Sequence, residues 1–164
     1  MPARATGHYR GGMPINESHV GRTYPPTPAY EVSRAKIAEF AAALGDTNPA
    51  YAGHTPIAPP TFVAVVAARA WDRMFADPEL GMALHRVVHG EQAFTYDRPL
   101  RAGDLITATL TIDRVRVRGP VEFVGVTVDV ATTDGDHVCS TTSTLVHTRP
   151  ASDEGETATV GVAS

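Results

Sequence analysis

A single cysteine, Cys139, occurs among the 164 residues. One thiol closes no internal disulfide and forms no cluster for structural zinc, which excludes disulfide scaffolds, dithiol redox motifs and zinc fingers. Basic charge is also short: 14 Lys and Arg stand against 18 Asp and Glu, for a net charge of −4. Nucleic-acid binding draws most of its non-specific affinity from a basic excess, so no nucleic-acid partner is expected. No apolar run approaches the ~20 residues a spanning helix requires, and residues 1–10 lack the apolar stretch of a secretion signal. No membrane partner is expected, and a cytoplasmic location is.

What the chain does contain is 43% hydrophobic residues, which supports one domain with a sizeable core. The stretches 1–19 and 149–164 are small, polar and without periodicity, and are expected to be loose tails around a domain at 20–148. Three prolines within 24–28 remove ladder donors, so this segment is expected as an extended lead-in on the outside of the fold. Ser33 can cap a helix in which Ile37, Phe40, Ala41 and Leu44 share a face, and Gly45 supplies a left-handed stop.

Pro59 and Pro60 pre-set a second helix over 61–76. Its charges, Arg69, Asp72 and Arg73, fall on one stripe and apolar residues surround the rest, so burial on nearly every side is expected. Strands follow at 84–96, 104–118, 121–132 and 137–148, rich in Val, Thr, Ile and Phe. The apolar phase in the second of these shifts after Ile112, which predicts a bulge at Asp113 and Arg114. Asp134-Gly135 marks a hairpin. Links at 99–103, 119–120 and 133–136 are short, which makes sequence neighbours antiparallel. The expected class is α+β, a curved antiparallel sheet wrapped around the helix that opens with two prolines.

Four segments carry a resemblance over about 20–146. They are Val20-Gly21-Arg22-Thr23-Tyr24-Pro25-Pro26, Gly45-Asp46-Thr47-Asn48-Pro49-Ala50-Tyr51, Ile57-Ala58-Pro59-Pro60-Thr61-Phe62 and Arg86-Val87-Val88-His89-Gly90-Glu91-Gln92. With the order of elements, they resemble the hot-dog fold of MaoC-like (R)-specific hydratases and dehydratases. They are most similar to an actinobacterial group related to the partner subunits of hydroxyacyl-carrier-protein dehydratases. The resemblance implies a dimer with a continuous sheet, a 3-hydroxyacyl or enoyl thioester of acyl carrier protein or coenzyme A as substrate, and no cofactor. The thioester would lie at the interface, against the start of the central helix.

Syn elimination of water from such a thioester needs a base at the α-proton, a proton source for the hydroxyl, and donors for charge on the thioester oxygen. Catalytic relatives carry Gly-Asp-x-Asn-Pro-x-His. Here Asp46, Asn48 and Pro49 match, but Tyr51 stands in the histidine's place, and a phenol of ordinary pKa about 10 is a poor substitute. Relatives also present a glycine amide at the helix start where this chain has Pro60, which has no N–H. Both losses point to the non-catalytic half of a heterodimer whose partner keeps Asp and His. The other readings are a homodimeric acyl-thioester binding module without turnover, and an active homodimer using Asp46 with His54 or Tyr51. Asn48, Pro60, Thr61 and Phe62 are the expected substrate-binding residues.

Each single residue has a plainer reading too. Asp46 is well placed to brace the Asn-Pro turn, and His54 is expected on an exposed loop. His85 and His89 have metal-pair spacing on a helix but lie roughly 13 Å apart on a strand, so no metal site is expected. Arg114, Arg116 and Arg118, with Arg98 and Arg101 nearby, read equally as a patch for an acidic carrier or phosphate and as a solvated face. Trp71 and Phe75 read as core.

Overall fold

The computed structural model describes residues 15–150, so most of the two tails expected at 1–19 and 149–164 lies outside the described residues. Helix α1 (Arg34–Leu44) is bounded by the two residues whose chemistry demands it. Ser33 Oγ accepts the Lys36 amide, and Gly45 sits at φ +67° with its N–H on the Ala41 and Ala42 carbonyls. Ile37 and Ala41 are buried, and Phe40 meets Phe62 edge-on at 5.4 Å.

Helix α2 spans Val63–Phe75, two residues later than Pro59-Pro60 predicted. The opening turn is wound with bonds to the third residue back, Phe62 to Pro59, Ala64 to Thr61 and Val65 to Phe62, so regular α-helix starts only at Val63. The expectation of burial on nearly every side is corrected. Val63, Val66, Ala67, Ala70 and Met74 form the buried face, while Ala68 joins Arg69, Asp72 and Arg73 in solvent.

Five strands, β1 (Tyr30–Glu31), β2 (Val87–Tyr96), β3 (Leu105–Arg118), β4 (Val121–Thr132) and β5 (His137–Thr148), make one antiparallel sheet in the order β1-β3-β4-β5-β2. The sheet curls, and its inner face packs on α2. That face carries Ile106, Ala108, Leu110 and Ile112 from β3, Val124, Val126, Val128 and Val130 from β4, and Leu145 from β5, all buried. The period-two phase of these residues puts them on one side, and the area they remove from water is the main stabilising term. The bulge falls where the phase shift placed it, between Ile112 and Arg114. Opposite it, Gly125 leaves room that a Cβ would contest, at 3.3 Å from Arg114 Cβ.

Two details differ from the sequence reading. β2 begins at Val87, since Leu84–Arg86 forms a 3-10 turn that also holds His85. β2 and β3 are not neighbours but stand on opposite sides of the β4–β5 pair. Three strand steps cost only about 14 Å, within reach of an eight-residue link. The link is laced down by Asp97 N–H to Val138, Ala58 N–H to Leu100 and Ala102 N–H to Pro56.

The proline-rich lead-in runs along the outer edge of β3, where Gly21, Tyr24 and Thr27 donate to Ile112, Leu110 and Ala108. Ile15 is fully buried and Asn16 caps a 3-10 turn at Glu17–His19, so packing begins at least five residues ahead of the boundary read at Val20. Arg22 Nη1 and the Tyr24 hydroxyl both donate to Asp77 Oδ2, at 2.7 and 2.8 Å, tying the lead-in to the turn after α2.

Candidate functional site

Three of the residues marked from sequence meet at one cavity. Asn48, Tyr51 and Pro60, with Ile57, Ala58, Tyr96 and Pro99, line a space of about 220 Å³ at the start of α2. The local chain is held for structural reasons that can be named. Asn48 Oδ1 accepts the Ala50 amide and caps the 3-10 turn Pro49–Tyr51. Asp46 Oδ1 accepts the Asn48 amide at 3.0 Å, the side-chain bracing of an Asx turn. Ile57 N–H reaches back to the Ala50 carbonyl, and Ile57 also bridges to Arg101. Turn, approach to α2 and the link after β2 are thereby stitched into one wall.

Other marked residues fall outside this cavity's lining. Asp46 and His54 are exposed. Phe62, expected as a substrate contact, is fully buried and packs edge-on against Phe40 rather than lining the cavity. Thr61 is exposed beside the cavity, and its amide donates no hydrogen bond to a described residue. Pro60 carries no N–H, but its carbonyl accepts the Tyr96 hydroxyl at 2.6 Å.

Tyr96 was not singled out by sequence. The signal available was an aromatic at the end of a strand, where a half-buried phenol needs a partner. Burial, aided by the Cys139 thiol beside it, pushes the Tyr96 phenol well above its ordinary value, so it remains a neutral donor. Burial likewise pushes the Cys139 thiol up to about 11, which leaves it protonated and unreactive near neutrality. The cavity therefore offers an apolar wall, two phenols and an amide. It lacks a carboxylate facing an imidazole.

Two carboxylate–imidazole pairs stand outside the lining: Asp97 Oδ2 with His137 Nδ1 at 2.7 Å, exposed at the end of β2 just past Tyr96, and a buried pair farther off. Glu122 and His147, each 1% exposed, pair across β4 and β5 with Oε2 to Nδ1 at 2.7 Å. The Ala83 amide donates to His147 Nε2 at 3.3 Å, so Nε2 acts as acceptor and Nδ1 carries the proton toward Glu122. Arg149 Nε stands 3.2 Å from the second Glu122 oxygen. This cluster sits beside Val87 at the far end of β2 from Tyr96, roughly 30 Å along the strand, and fastens the segment after α2 to the sheet. Its signal in the sequence was phase: Glu122 alternates with Val124 and Val126, and His147 with Leu145.

The arginines do not form one patch. Arg98 is bidentate to Asp104 at 2.8 and 3.1 Å, ahead of β3, while Arg114, Arg116 and Arg118 lie exposed at its opposite end. His89 is stacked edge-on against Trp71 at 5.1 Å. Among the described residues no group of three His, Cys, Asp or Glu has metal-binding geometry, and no helix is long and apolar enough to cross a membrane.

Residues 18–141 match the family described as FAS1-like, dehydratase domain region. The chain belongs to this dehydratase-domain family. UPF0336 proteins are close in sequence: that of Cutibacterium acnes is 50% identical, covering 84% of this chain and 97% of its own length. That of Saccharopolyspora erythraea is 43% identical over 89% of this chain and all of its own. Among solved structures, the HadBC (3R-hydroxyacyl-ACP dehydratase) complex of Mycobacterium tuberculosis matches with a TM-score of 0.69 and 26% identity, covering 78% of this chain and 96% of that one. A MaoC-like dehydratase matches with a TM-score of 0.72 and 25% identity, covering 81% of this chain and 43% of that one. The hot-dog fold expected from the motifs is the fold of this dehydratase-domain protein.

Proposed function

We propose that this dehydratase-domain protein is a subunit of a 3-hydroxyacyl-thioester dehydratase or enoyl-thioester hydratase, and that it is the non-catalytic half of a heterodimer. One observation carries the reading: the cavity at the start of α2 has the shape and apolar lining for an acyl group but no base. Tyr51 lines the wall where the family histidine belongs, and Pro60 supplies no amide. The braced Asp46 is exposed outside the lining. The partner chain would bring an Asp and a His to the same interface and this chain would complete the acyl site. A heteromeric relative, the HadBC complex, supports the partnering. The thioester is carried by acyl carrier protein or coenzyme A, a choice the cavity's apolar lining does not make.

The test is hydration of trans-2-enoyl thioesters by the full chain, alone and mixed with an Asp/His-bearing partner such as one that copurifies. Negligible turnover alone and a rise on mixing of at least ~100-fold are expected, the scale of positioned acid–base groups. Turnover by the chain alone that Asp46→Asn or His54→Ala abolishes would establish the homodimeric enzyme instead. Acyl-thioester binding with no turnover beside any partner would establish a binding module.

A further inference from the structure

Resting on the acyl-site reading, we infer that Tyr96 sets the depth of the acyl cavity and so the chain length it admits. The phenol lies between the cavity and the core. One side of it lines the space with Asn48, Tyr51, Ile57, Ala58, Pro60 and Pro99. Its hydroxyl is fixed on the Pro60 carbonyl at 2.6 Å. Beyond it are the Cys139 thiol and the start of α2, and Cys139 and Val63 are both fully buried.

The wall is stiff for reasons on both sides. Tyr96 is the last residue of β2 and pairs with Cys139 in β5, so its backbone is held by the sheet. A ring with two side-chain torsions and an anchored hydroxyl leaves little freedom to swing away. The Pro60 carbonyl belongs to the 3-10-wound opening of α2, and the hydroxyl also ties that turn to the sheet. An alkyl chain entering past Asn48 and Tyr51 would meet the Tyr96 side chain, behind which Cys139 and Val63 are fully buried. Chain length is then limited by this residue.

The experiment uses non-hydrolysable S-alkyl-pantetheine thioethers of four, eight, twelve and sixteen carbons, titrated by calorimetry into the full chain, in complex with its copurifying partner where there is one. For the natural protein, affinity should rise by about fourfold per added methylene up to a limit and then stop. Tyr96→Ala should move that limit to longer chains, Tyr96→Trp to shorter ones, and Tyr96→Phe should leave it in place. A limit that stays the same in every folded variant overturns the inference while leaving the acyl-site reading intact. A natural protein that binds none of the four probes overturns both. Because Tyr96→Ala opens a hole beside the core and can fail to fold, a second measurement uses unaltered protein. A C8 probe with a terminal diazirine should label the peptide containing Tyr96, and labelling confined to other peptides overturns the inference.

Discussion

Asp77 shows how much one carboxylate can hold. It is 13% exposed and accepts from Arg22 Nη1, the Tyr24 hydroxyl and, through Oδ1, the Glu79 amide. Burial is the largest single influence on its pKa and acts upward, but the Tyr24, Arg22 and Glu79 hydrogen bonds together outweigh it, holding the carboxyl below its ordinary 3.8. A folded pKa below the unfolded one means stability that is present above about 3.8 and is lost as pH falls through the folded value. Asp77→Asn should cost about 1–3 kcal/mol in urea unfolding near neutrality, and its stability should fall less steeply than the natural protein's as the pH is lowered below 4. Glu122 and His147 pose the companion case. Removing either leaves the other buried beside a missing partner, so His147→Ala should cost about 3 kcal/mol or more. With Glu122→Ala it should give a double-mutant coupling of about 1–3 kcal/mol. Strict additivity would show that the pair is not acting as a unit.

At the scale of elements, the legible parts were those fixed by local chemistry. Helix α1 was bounded from Ser33 and Gly45 because a cap and a left-handed stop are single-residue requirements. Gly45→Ala should therefore destabilise by about 1–2 kcal/mol, since alanine at φ +67° brings its Cβ against the backbone, and Ser33→Ala by about 1 kcal/mol. Both are read from thermal or urea unfolding. The bulge at Ile112/Arg114 was legible as a change of phase. The place of β2 was not, because strand order depends on how far a sheet curls, and no local residue records that. The site divided in the same way. Asn48, Tyr51 and Pro60 come together because their turns are built from Asn and Pro at adjacent stretches of chain. Tyr96 and Pro99 reach the cavity from a strand whose partner is chosen at long range. Phe62, the residue just ahead of Val63, is buried against Phe40 of α1, a contact between two elements that neither stretch of sequence records by itself.

The whole molecule leaves one sheet edge open and, near it, one buried donor without an acceptor among the described residues. β2 has a partner only in β5, so its other edge is unpaired over ten residues among the described part of the chain. Helix α2 runs beside it, with Pro60 at Tyr96 and Trp71 at His89, and the buried Trp71 indole N–H has no acceptor among the described residues. An unpaired edge of this length invites a second chain, and a buried donor without an acceptor costs about 1–3 kcal/mol until one is supplied. If the proposed heterodimer forms along this side, as a continuous sheet requires, the β2 edge is satisfied by that event, while the Trp71 N–H, sealed within the single chain, gains an acceptor only if the packing over it shifts on association. Trp71→Phe keeps the aromatic packing and removes the stranded donor. It should leave the isolated chain as stable as before or up to ~1 kcal/mol more so, while weakening association by several-fold in sedimentation at graded concentrations. A loss of stability in the isolated chain as large as that of a core truncation, with association unchanged, would place Trp71 in the core alone and move the interface to another face.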